Sequence, residues 1–421
     1  MKHLLAIAAV VAGAGLQGFA AEIPHLQSVG NSIQLIVDGK AMLLRAGETD
    51  NSSGEPSVLA SSWKDFAAMN MNAVVTPVYW DQIEPREGSF DWASVDGIIE
   101  AARENRMRVV FLWFGSWKNS MSCYAPAWVK ADTARFPRAV ATGGRPIEML
   151  SAFDHRCLEA DISAFTALMQ HIRDIDGDAH TVIMMQVENE IGMVEMPRDH
   201  SAAADAAFAG QVPAALMSFL EAHRDSLVPT LRKAWLAGGG KSSGTWTEVF
   251  GEGAATDELF MAWHFASYTE QVAKAGKAIL PLPMYTNAAL IRPGYEPGQY
   301  PSAGPLPHLV DIWRAAAPSL DFIAPDIYFT NFTYWSDAYQ IPGNAHMIPE
   351  TLRNAQASVN ALYAFGQNGT MGYSPYGINF ISGQARTLLA SSYDIIRQLE
   401  PLILDNFPKG RVAACIPLGP E

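Results

Sequence analysis

Short runs of apolar residues alternate along the chain with longer segments whose apolar positions recur at helical spacing. The clearest runs predict buried strands at 72–78, 108–114, 181–187, 279–285 and 322–327, and weaker runs predict strands at 42–46, 345–348 and 370–373. Two stripes of apolar residues at helical spacing lie between these strands. The first consists of Val95, Ile98, Ile99 and Ala102, and Asp91 before it is predicted as the N-cap of the helix. The second consists of Leu158, Ile162, Phe165, Met169 and Ile172. Both stripes are typical of helix faces that pack on a sheet.

This alternation predicts an α/β protein with the (β/α)8 TIM barrel fold, in which eight buried parallel strands are separated by helices. An open, doubly wound sheet is the alternative, but it gives no reason for eight units, and no G-x-G-x-x-G motif follows the first strand. Ahead of the barrel, the runs 34–37 and 41–44 flank Asp38-Gly39, which predicts a short N-terminal β-hairpin with a tight turn.

Two segments, 115–155 and 292–307, are longer than ordinary connections between elements. Long connections in a compact domain are usually functional. Both segments leave the carboxyl ends of predicted strands, where the active sites of barrels are assembled. We therefore expect them to form the walls of a pocket.

The first 20 residues have the order of regions found in a secretory signal peptide. Lys2 and His3 precede the apolar run 4–14, and Gly18-Phe19-Ala20 supplies small residues at the positions before a cleavage site. A buried N-terminal helix is the alternative, and the run is too short to span a membrane. We predict a signal peptide at 1–20, a catalytic barrel at 21–421, and a mature protein that is soluble and periplasmic or extracellular.

Charge and cysteine content narrow the class of protein. The 421 residues include 29 basic and 43 acidic side chains, a formal net charge of −14, and no basic cluster that could follow a phosphate backbone. This excludes nucleic acid as the expected partner and suits a neutral substrate such as a sugar. The three cysteines, Cys123, Cys157 and Cys415, cannot all pair with one another. The sequence does not decide whether Cys123 and Cys157 form a disulfide or are buried free thiols.

Two carboxylates follow predicted strands that face each other across the barrel. Glu190 closes the motif Gln-Val-Glu-Asn-Glu-Ile-Gly at 186–192, and Glu350 lies in Met-Ile-Pro-Glu-Thr at 347–351. We expect Gln186, Glu188 and Glu190 to share one face of the fourth strand, because they have the same parity. Facing carboxyl groups about 5–5.5 Å apart perform double-displacement glycoside cleavage, one protonated and the other ionised. The alternative is that each Glu only begins a helix.

Several segments in order along the chain resemble β-galactosidases of glycoside hydrolase family 35. They are Leu-Ile-Val-Asp-Gly-Lys at 35–40, the strand and loop at 72–80, Glu-Pro-x-x-Gly-x-Phe-Asp at 84–91, Tyr-Ala-Pro-Ala-Trp-Val at 124–129, and 186–192, which is similar to the family's Val-Glu-Asn-Glu-Tyr-Gly. The Glu-Pro-x-x-Gly segment also occurs in family 42. The surroundings of Glu350 look like those of a bacterial subgroup that carries an extra C-terminal β-domain, some of whose members act on galactosylated polysaccharides such as xyloglucan.

This resemblance implies clan A mechanics, with Glu190 as acid/base, Glu350 as nucleophile, and Asn189 hydrogen-bonded to the sugar 2-hydroxyl. The family's Ala-Glu-Trp after strand three is replaced by Leu-Trp-Phe-Gly at 112–115, so one usual sugar-binding Glu is missing and the glycone stays open. Glu48, after the first strand, is expected to compensate. The sequence ends at Glu421, where the subgroup continues into a β-sandwich, so the chain is either a short member or a truncated one.

Other polar and aromatic residues at predicted strand ends are candidates for contacts with sugar. Tyr328, next to Glu350, is expected to hold the nucleophile, as a Tyr or His often does in clan A. The remaining candidates are Trp80, Trp117, Tyr285, Asn287 and Asn51, and for each aromatic the alternative role is packing in the core. We predict no metal and no cofactor, because no group of residues has ligand spacing.

The leading hypothesis is a retaining exo-β-galactosidase that removes terminal β-galactosyl residues from oligo- or polysaccharides. The alternatives are another retaining β-glycosidase, such as a β-glucosidase or endo-glycanase, and a catalytically silent carbohydrate-binding barrel. The expected partner is a carbohydrate. We predict that the protein binds no nucleic acid and, after removal of the signal peptide, no membrane. The sequence leaves the oligomeric state open.

Overall fold

Three short antiparallel strands open the part of the chain that the computed structural model describes, residues 22–416. They are β1 (His25–Val29), β2 (Ser32–Val37) and β3 (Lys40–Met42), paired in that order. Asp38 and Gly39 both have positive φ, 50° and 70°, the backbone of a type I′ hairpin turn. The predicted hairpin is therefore confirmed, with one additional strand in front. The predicted signal peptide lies outside the described residues.

Eight parallel strands form the barrel, and their order around it follows their order along the chain. The strands that follow β3 are β4 (Leu44–Arg45), β5 (Ala73–Tyr79), β6 (Arg108–Lys118), β7 (Arg138–Val140), β8 (Pro146–Leu150), β9 (Val182–Asn189), β10 (Met284–Ala289), β11 (Phe322–Ile327), β12 (Met347–Thr351) and β13 (Gly372–Pro375). Of these, β7 and β8 form a separate hairpin. The ring closes at Glu48, which bridges Val75 on one side and Tyr376 on the other. The (β/α)8 barrel is confirmed.

Helices surround the strands. They are α1 (Pro56–Leu59), α2 (Trp63–Ala68), α3 (Trp80–Ile83), α4 (Ala93–Glu104), α5 (Ala127–Ala131), α6 (His155–Asp176), α7 (Ala202–Phe208), α8 (Ala214–Ala222), α9 (Pro229–Ala237), α10 (Trp246–Phe250), α11 (Ala254–Ile279), α12 (Val310–Ala316), α13 (Phe332–Ala338), α14 (Gln356–Gln367) and α15 (Gly383–Asn406). The two predicted stripes lie on α4 and α6, whose apolar positions are largely buried against the strands. Within residues 22–416, no helix is long and apolar enough to cross a membrane.

Two element predictions needed correction. The strand predicted at 279–285 lies at Met284–Ala289, because α11 continues to Ile279 and the prolines 281 and 283, which have no N–H to donate, delay entry into the sheet. The segment 115–155, expected to lack regular structure, contains the end of β6, the helix α5 and the β7–β8 hairpin. The segment 292–307 is irregular up to a 3₁₀ turn at Pro307–Leu309, as expected.

Apolar side chains fill the barrel and its amino end, which leaves the polar groups at the carboxyl end. The interior cluster includes Val75, Leu112 and Met184 from the strands, and Leu35 and Val37 of the N-terminal sheet join it. A second, larger cluster lies between the strands and the helices. The three cysteines are free thiols, with Cys157 buried and the other two exposed, so the structure contains no Cys123–Cys157 disulfide.

Candidate active site

The carboxyl end of β9 departs from the regular alternation of a strand. Glu188 and Glu190 have left-handed backbone conformations, with φ of 61° and 45°, which is uncommon for residues other than glycine. The Glu188 side chain turns away from the pocket and accepts hydrogen bonds from the backbone N–H groups of Ser116 (3.2 Å) and Trp117 (2.6 Å). The prediction that Gln186, Glu188 and Glu190 share one face is therefore wrong for Glu188.

Glu188 instead anchors the end of β6 to the end of β9. Its carboxyl group is fully buried beside Asp161 of α6, and burial together with the Asp161 charge raises its pKa well above the usual range. Gly115 permits this packing, because a Cβ at that position would lie 2.8 Å from a Glu188 carboxylate oxygen. With Glu188 held outside, the next two residues, Asn189 and Glu190, enter the site.

Glu350 lies on β12 and accepts three hydrogen bonds. The Tyr328 hydroxyl donates to Oε2 at 2.6 Å, and the side-chain amides of Asn189 and Asn287 each donate to Oε1 at 3.2 Å. Three donors aimed at one carboxylate fix its orientation. The sequence named all four of these residues, and the fold brings them together.

Asn287 links the two predicted carboxylates, and it also contacts a third that the sequence analysis missed. Its Oδ1 accepts a hydrogen bond from the Glu190 backbone N–H at 2.9 Å, while its Nδ2 donates to Asp326 Oδ2 at 2.7 Å. One carboxylate oxygen from each of Glu190, Asp326 and Glu350 lies within 4.8 Å of the others. Asp326 could have been found from its position, because it lies at the end of β11, two residues before Tyr328.

A cavity of about 560 Å³ opens over these carboxylates, within the size range of small-molecule sites. Its lining includes the predicted residues Glu190, Glu350, Tyr328 and Asn51. Lys118 also lines it, and the sequence analysis missed this residue because β6 runs to Lys118, four residues past the predicted end at 114. The Lys118 ammonium donates a hydrogen bond to the Asn119 side chain.

The environment of Glu190 favours its protonated form. Burial, reinforced by the nearby charge of Glu350, raises the pKa of Glu190 to about 7, although Lys118 and Asp326 oppose the shift. A carboxyl group with this pKa is divided between its acid and base forms near neutral pH. Glu190 and Glu350, a few ångströms apart, are therefore in different electrostatic environments.

Two further buried carboxyl groups accompany this pair. Burial and the Glu350 charge raise the pKa of both Glu48 and Asp326 well above their usual ranges. Neither carboxylate oxygen of Glu48 has a hydrogen-bond partner within the described residues. Glu48 is fully buried and is not among the residues that line the cavity, and its surroundings favour the neutral acid.

Because burial raises the pKa of Glu48, the folded protein retains a proton there that the unfolded chain releases. The stability that results is complete below the ordinary pKa of Glu48 and is lost as pH rises through the raised value. We expect Glu48→Gln, which removes the charge and keeps the shape, to raise Tm by roughly 1–3 °C at about pH 8 and to change it little at about pH 4. Calorimetry of both proteins tests this. Glu100→Gln, at an exposed position of α4, is the control, and equal Tm values at about pH 8 would contradict the expectation.

The structure does not bring Trp80 and Trp117 to the cavity. The Trp80 indole N–H donates to the Glu84 carboxylate at 2.7 Å, and that of Trp117 donates to the Leu150 carbonyl at 3.0 Å. Both rings are fully buried. Both faces of each ring are packed and each indole N–H has a hydrogen-bond partner. Trp80 and Trp117 therefore pack in the core, which was the alternative role stated for the aromatic candidates.

Tyr285 and Asn51 lie at different depths. Tyr285 is inside the barrel, stacked on Phe322 with 4.8 Å between ring centroids, and burial together with the Glu48 charge raises its pKa. It is fully buried and does not line the cavity. Asn51 lines the cavity, and its buried Oδ1 has no partner among the described residues. Tyr376, which sequence analysis missed, lines the cavity beside it and donates to Asp50 at 2.9 Å.

The three clustered carboxylates are oxygen ligands of the kind that hard cations bind. However, the three hydrogen bonds to Glu350 already use both of its oxygens. The absence of a metal and of a cofactor stays a prediction.

A parallel eight-stranded barrel with paired carboxylates at its carboxyl end defines a class of glycoside hydrolases. Residues 54–249 match the model of glycoside hydrolase family 42, described as beta-galactosidase. This part of the chain is therefore similar to the glycoside hydrolase domains of β-galactosidase type. No curated protein matches it in sequence.

Solved structures of glycoside hydrolases share the fold. The beta-galactosidase from the psychrophilic Marinomonas ef1 is 12% identical with a TM-score of 0.57, over 85% of this chain and 60% of its own. The beta-galactosidase from Bacillus circulans sp. alkalophilus is 14% identical with a TM-score of 0.58, and the match covers 86% of this chain and 57% of that protein. The beta-mannanase from the blue mussel Mytilus edulis is 12% identical with a TM-score of 0.53, and the match covers 90% of this chain and 97% of that protein. This chain thus spans less than two thirds of the length of these two β-galactosidases.

Proposed function

We propose that this protein is a retaining exo-β-galactosidase that removes terminal β-galactosyl residues from oligo- or polysaccharides. The observation that carries the proposal is the pair Glu190 and Glu350. Their carboxylate oxygens lie within 4.8 Å of each other at the floor of a cavity, and their environments differ. A short separation of this kind leaves no room for a water molecule to attack directly, so it favours the double-displacement route.

In the first step, Glu350 attacks the anomeric carbon while Glu190 gives its proton to the glycosidic oxygen. The bond to the aglycone breaks, and a covalent galactosyl ester forms on Glu350. Glu190, now ionised, then takes a proton from a water molecule that attacks the same carbon. The ester bond breaks, β-galactose leaves, and Glu190 is protonated again. Each carboxyl group returns to its initial state.

The neighbours of Glu350 support this assignment. Tyr328, Asn189 and Asn287 hold the carboxylate in one orientation, which keeps a nucleophile ready for in-line attack. Asn189 Oδ1 is buried without a partner within the described residues, so it is available to accept a hydrogen bond from the sugar 2-hydroxyl. We assign Asn51 to another ring hydroxyl, since it lines the cavity and offers an unpartnered oxygen.

Three narrower statements belong to the same proposal. The motifs resemble family 35 and its bacterial subgroup, so we propose a relationship to that family within the β-galactosidase type. A signal peptide at residues 1–20 would export the enzyme to the periplasm or beyond the cell. A galactosylated polysaccharide or an oligosaccharide released from one is the proposed natural substrate.

A panel of p-nitrophenyl glycosides tests the activity. We expect release from the β-galactoside or the α-arabinoside, which share ring stereochemistry, well above release from the β-glucoside and β-xyloside. Proton NMR of the first product should show the β-anomer. Faster release from the β-glucoside would reassign the glycone. Equal, negligible release from all four would favour a carbohydrate-binding barrel.

A further inference from the structure

Asp326 is a buried carboxyl group to which neither step of the double-displacement route gives a bond to make or break. It lies near the end of β11, paired with Glu350 of β12 in the sheet, and it is 2% exposed. Its Oδ2 accepts a hydrogen bond of 2.7 Å from Asn287 Nδ2, and its Oδ1 has no partner within residues 22–416. Burying a carboxyl group is costly, so its one contact indicates what it does there.

The side-chain amide of Asn287 contacts three groups, and its two ends are not interchangeable. Its Oδ1 accepts from the Glu190 backbone N–H at 2.9 Å, whereas its Nδ2 donates to Asp326 at 2.7 Å and to Glu350 Oε1 at 3.2 Å. If the amide turned over, its N–H groups would face the Glu190 N–H and its oxygen would face two carboxyl groups. The three neighbours therefore select one orientation of Asn287.

Glu190 depends on this orientation because its backbone is strained. Its φ of 45° lies in the left-handed region, which residues other than glycine adopt only where the surrounding contacts enforce it. The hydrogen bond from its N–H to Asn287 is one of those contacts. Losing it would leave a buried N–H without an acceptor and would release the Glu190 carboxyl group from its place beside Glu350.

Asp326 is the acceptor of Asn287 that keeps its chemical form during the proposed reaction. In the covalent intermediate, Glu350 is an ester, and an ester oxygen accepts hydrogen bonds more weakly than a carboxylate does. The hydrogen bond from Asn287 to Asp326 is already the shorter of the two, 2.7 against 3.2 Å. Asp326 can therefore hold the amide in the second step, while Glu190 takes a proton from water.

We propose that Asp326 is a positioning residue that acts through Asn287 on both Glu190 and Glu350. The inference rests on the proposed function, which gives those two carboxyl groups their roles. Burial and the charges of Glu350, Glu190 and Glu48 raise the pKa of Asp326 well above its usual range, which favours its neutral acid. A neutral carboxyl group retains a carbonyl oxygen that accepts a hydrogen bond, which is all that Asn287 requires of it.

Two substitutions at this position separate positioning from proton transfer, measured on the p-nitrophenyl glycoside that the enzyme hydrolyses fastest. Asp326→Ala removes the acceptor, and we expect kcat to fall about 10²-fold while KM changes less than about threefold. Asp326→Asn keeps a carbonyl oxygen for Asn287 but cannot transfer a proton, and it should restore kcat to within about fivefold of the unmodified enzyme. Equal losses in the two variants would overturn the proposal, because they would give Asp326 a part in the chemistry itself.

A double-mutant cycle tests whether the effect passes through Asn287. Without the amide, Asp326 has nothing to hold, so we expect Asn287→Ala and the double variant Asn287→Ala/Asp326→Ala to agree in kcat within about threefold. Losses that multiply would mean independent roles and would also overturn the proposal.

Asp337→Ala is the matched control. It removes another Asn–Asp hydrogen bond, from Asn368 Nδ2 at 2.8 Å, at a residue outside the cavity lining, and it should leave kcat unchanged. Calorimetry shows whether each variant is folded. If the unmodified enzyme is active and Asp326→Ala equals it, the inference is wrong and the proposed function stands. If the unmodified enzyme hydrolyses none of the glycosides, the proposed function is wrong, and the inference is wrong with it.

Discussion

Replacing Glu350 with alanine is expected to reduce β-galactoside hydrolysis by at least about 10⁴-fold, because the proposed covalent intermediate forms on this side chain. The loss should appear for every leaving group, since attack on the anomeric carbon is common to all substrates. Single-turnover release of p-nitrophenol measures it. Glu100→Ala, at an exposed position, should retain full activity, and matching Tm values would show that Glu350→Ala is folded.

A small anion distinguishes loss of the nucleophile from general damage to the site. In Glu350→Gly the vacated space lies between Asn189, Asn287 and Tyr328, all of which donate hydrogen bonds into it. We expect azide to enter there and to give the α-galactosyl azide, with inverted configuration. NMR of the product decides the result, and the absence of any azide adduct would argue against Glu350 as nucleophile.

Glu190→Gln should show a loss that depends on the leaving group. Without a proton donor, hydrolysis of a β-1,4-linked galactosyl-glucose disaccharide is expected to fall about 10²–10⁴-fold. The first step with a dinitrophenyl galactoside should change little, because its leaving group needs no proton. Azide should now give the β-galactosyl azide, because it attacks the covalent intermediate in place of water. If Glu190→Gln instead gave the α-galactosyl azide, Glu190 would be the nucleophile and Glu350 the acid/base.

The pH profile provides an independent check on the same residue. Because burial and Glu350 raise the pKa of Glu190 to about 7, the fraction able to donate a proton falls as pH rises through that value. We therefore expect kcat/KM for the disaccharide to decline on the alkaline side with an apparent pKa near 7. The decline should be absent in Glu190→Gln. An unchanged alkaline decline in the variant would assign it to another group, of which Asp326 is the nearest.

Local sequence was sufficient for most of the strands and for the motif that contains Glu190. The runs at 72–78 and 322–327 are apolar because their residues are buried on both faces of a parallel sheet, and a continuous run of this kind needs no long-range information to identify. The hairpin at Asp38-Gly39 followed from two residues that tolerate positive φ. Glu190 was found because polar residues that end a buried strand face the cleft of a barrel.

The prediction failed where a side chain had two possible directions. Trp80 and Trp117 follow predicted strands just as the predicted cavity residues do, and only the tertiary packing placed them in the core. Glu188 was placed with Glu190 by parity, but its left-handed backbone rotates it toward Ser116 and Trp117. Parity assumes regular strand dihedrals, and it gives no warning of a local reversal.

The sequence by itself determined the eight-unit barrel, the position of its polar end and the residue types available for chemistry there, because burial and strand periodicity are recorded locally. Only the tertiary structure decided which of those residues meet. Asn189 and Glu350 are 161 positions apart yet share a hydrogen bond, and Asp326 became part of the site through Asn287. The pKa of Glu190 was likewise decided by folding, since it depends on burial and on the distance to a carboxylate from another strand.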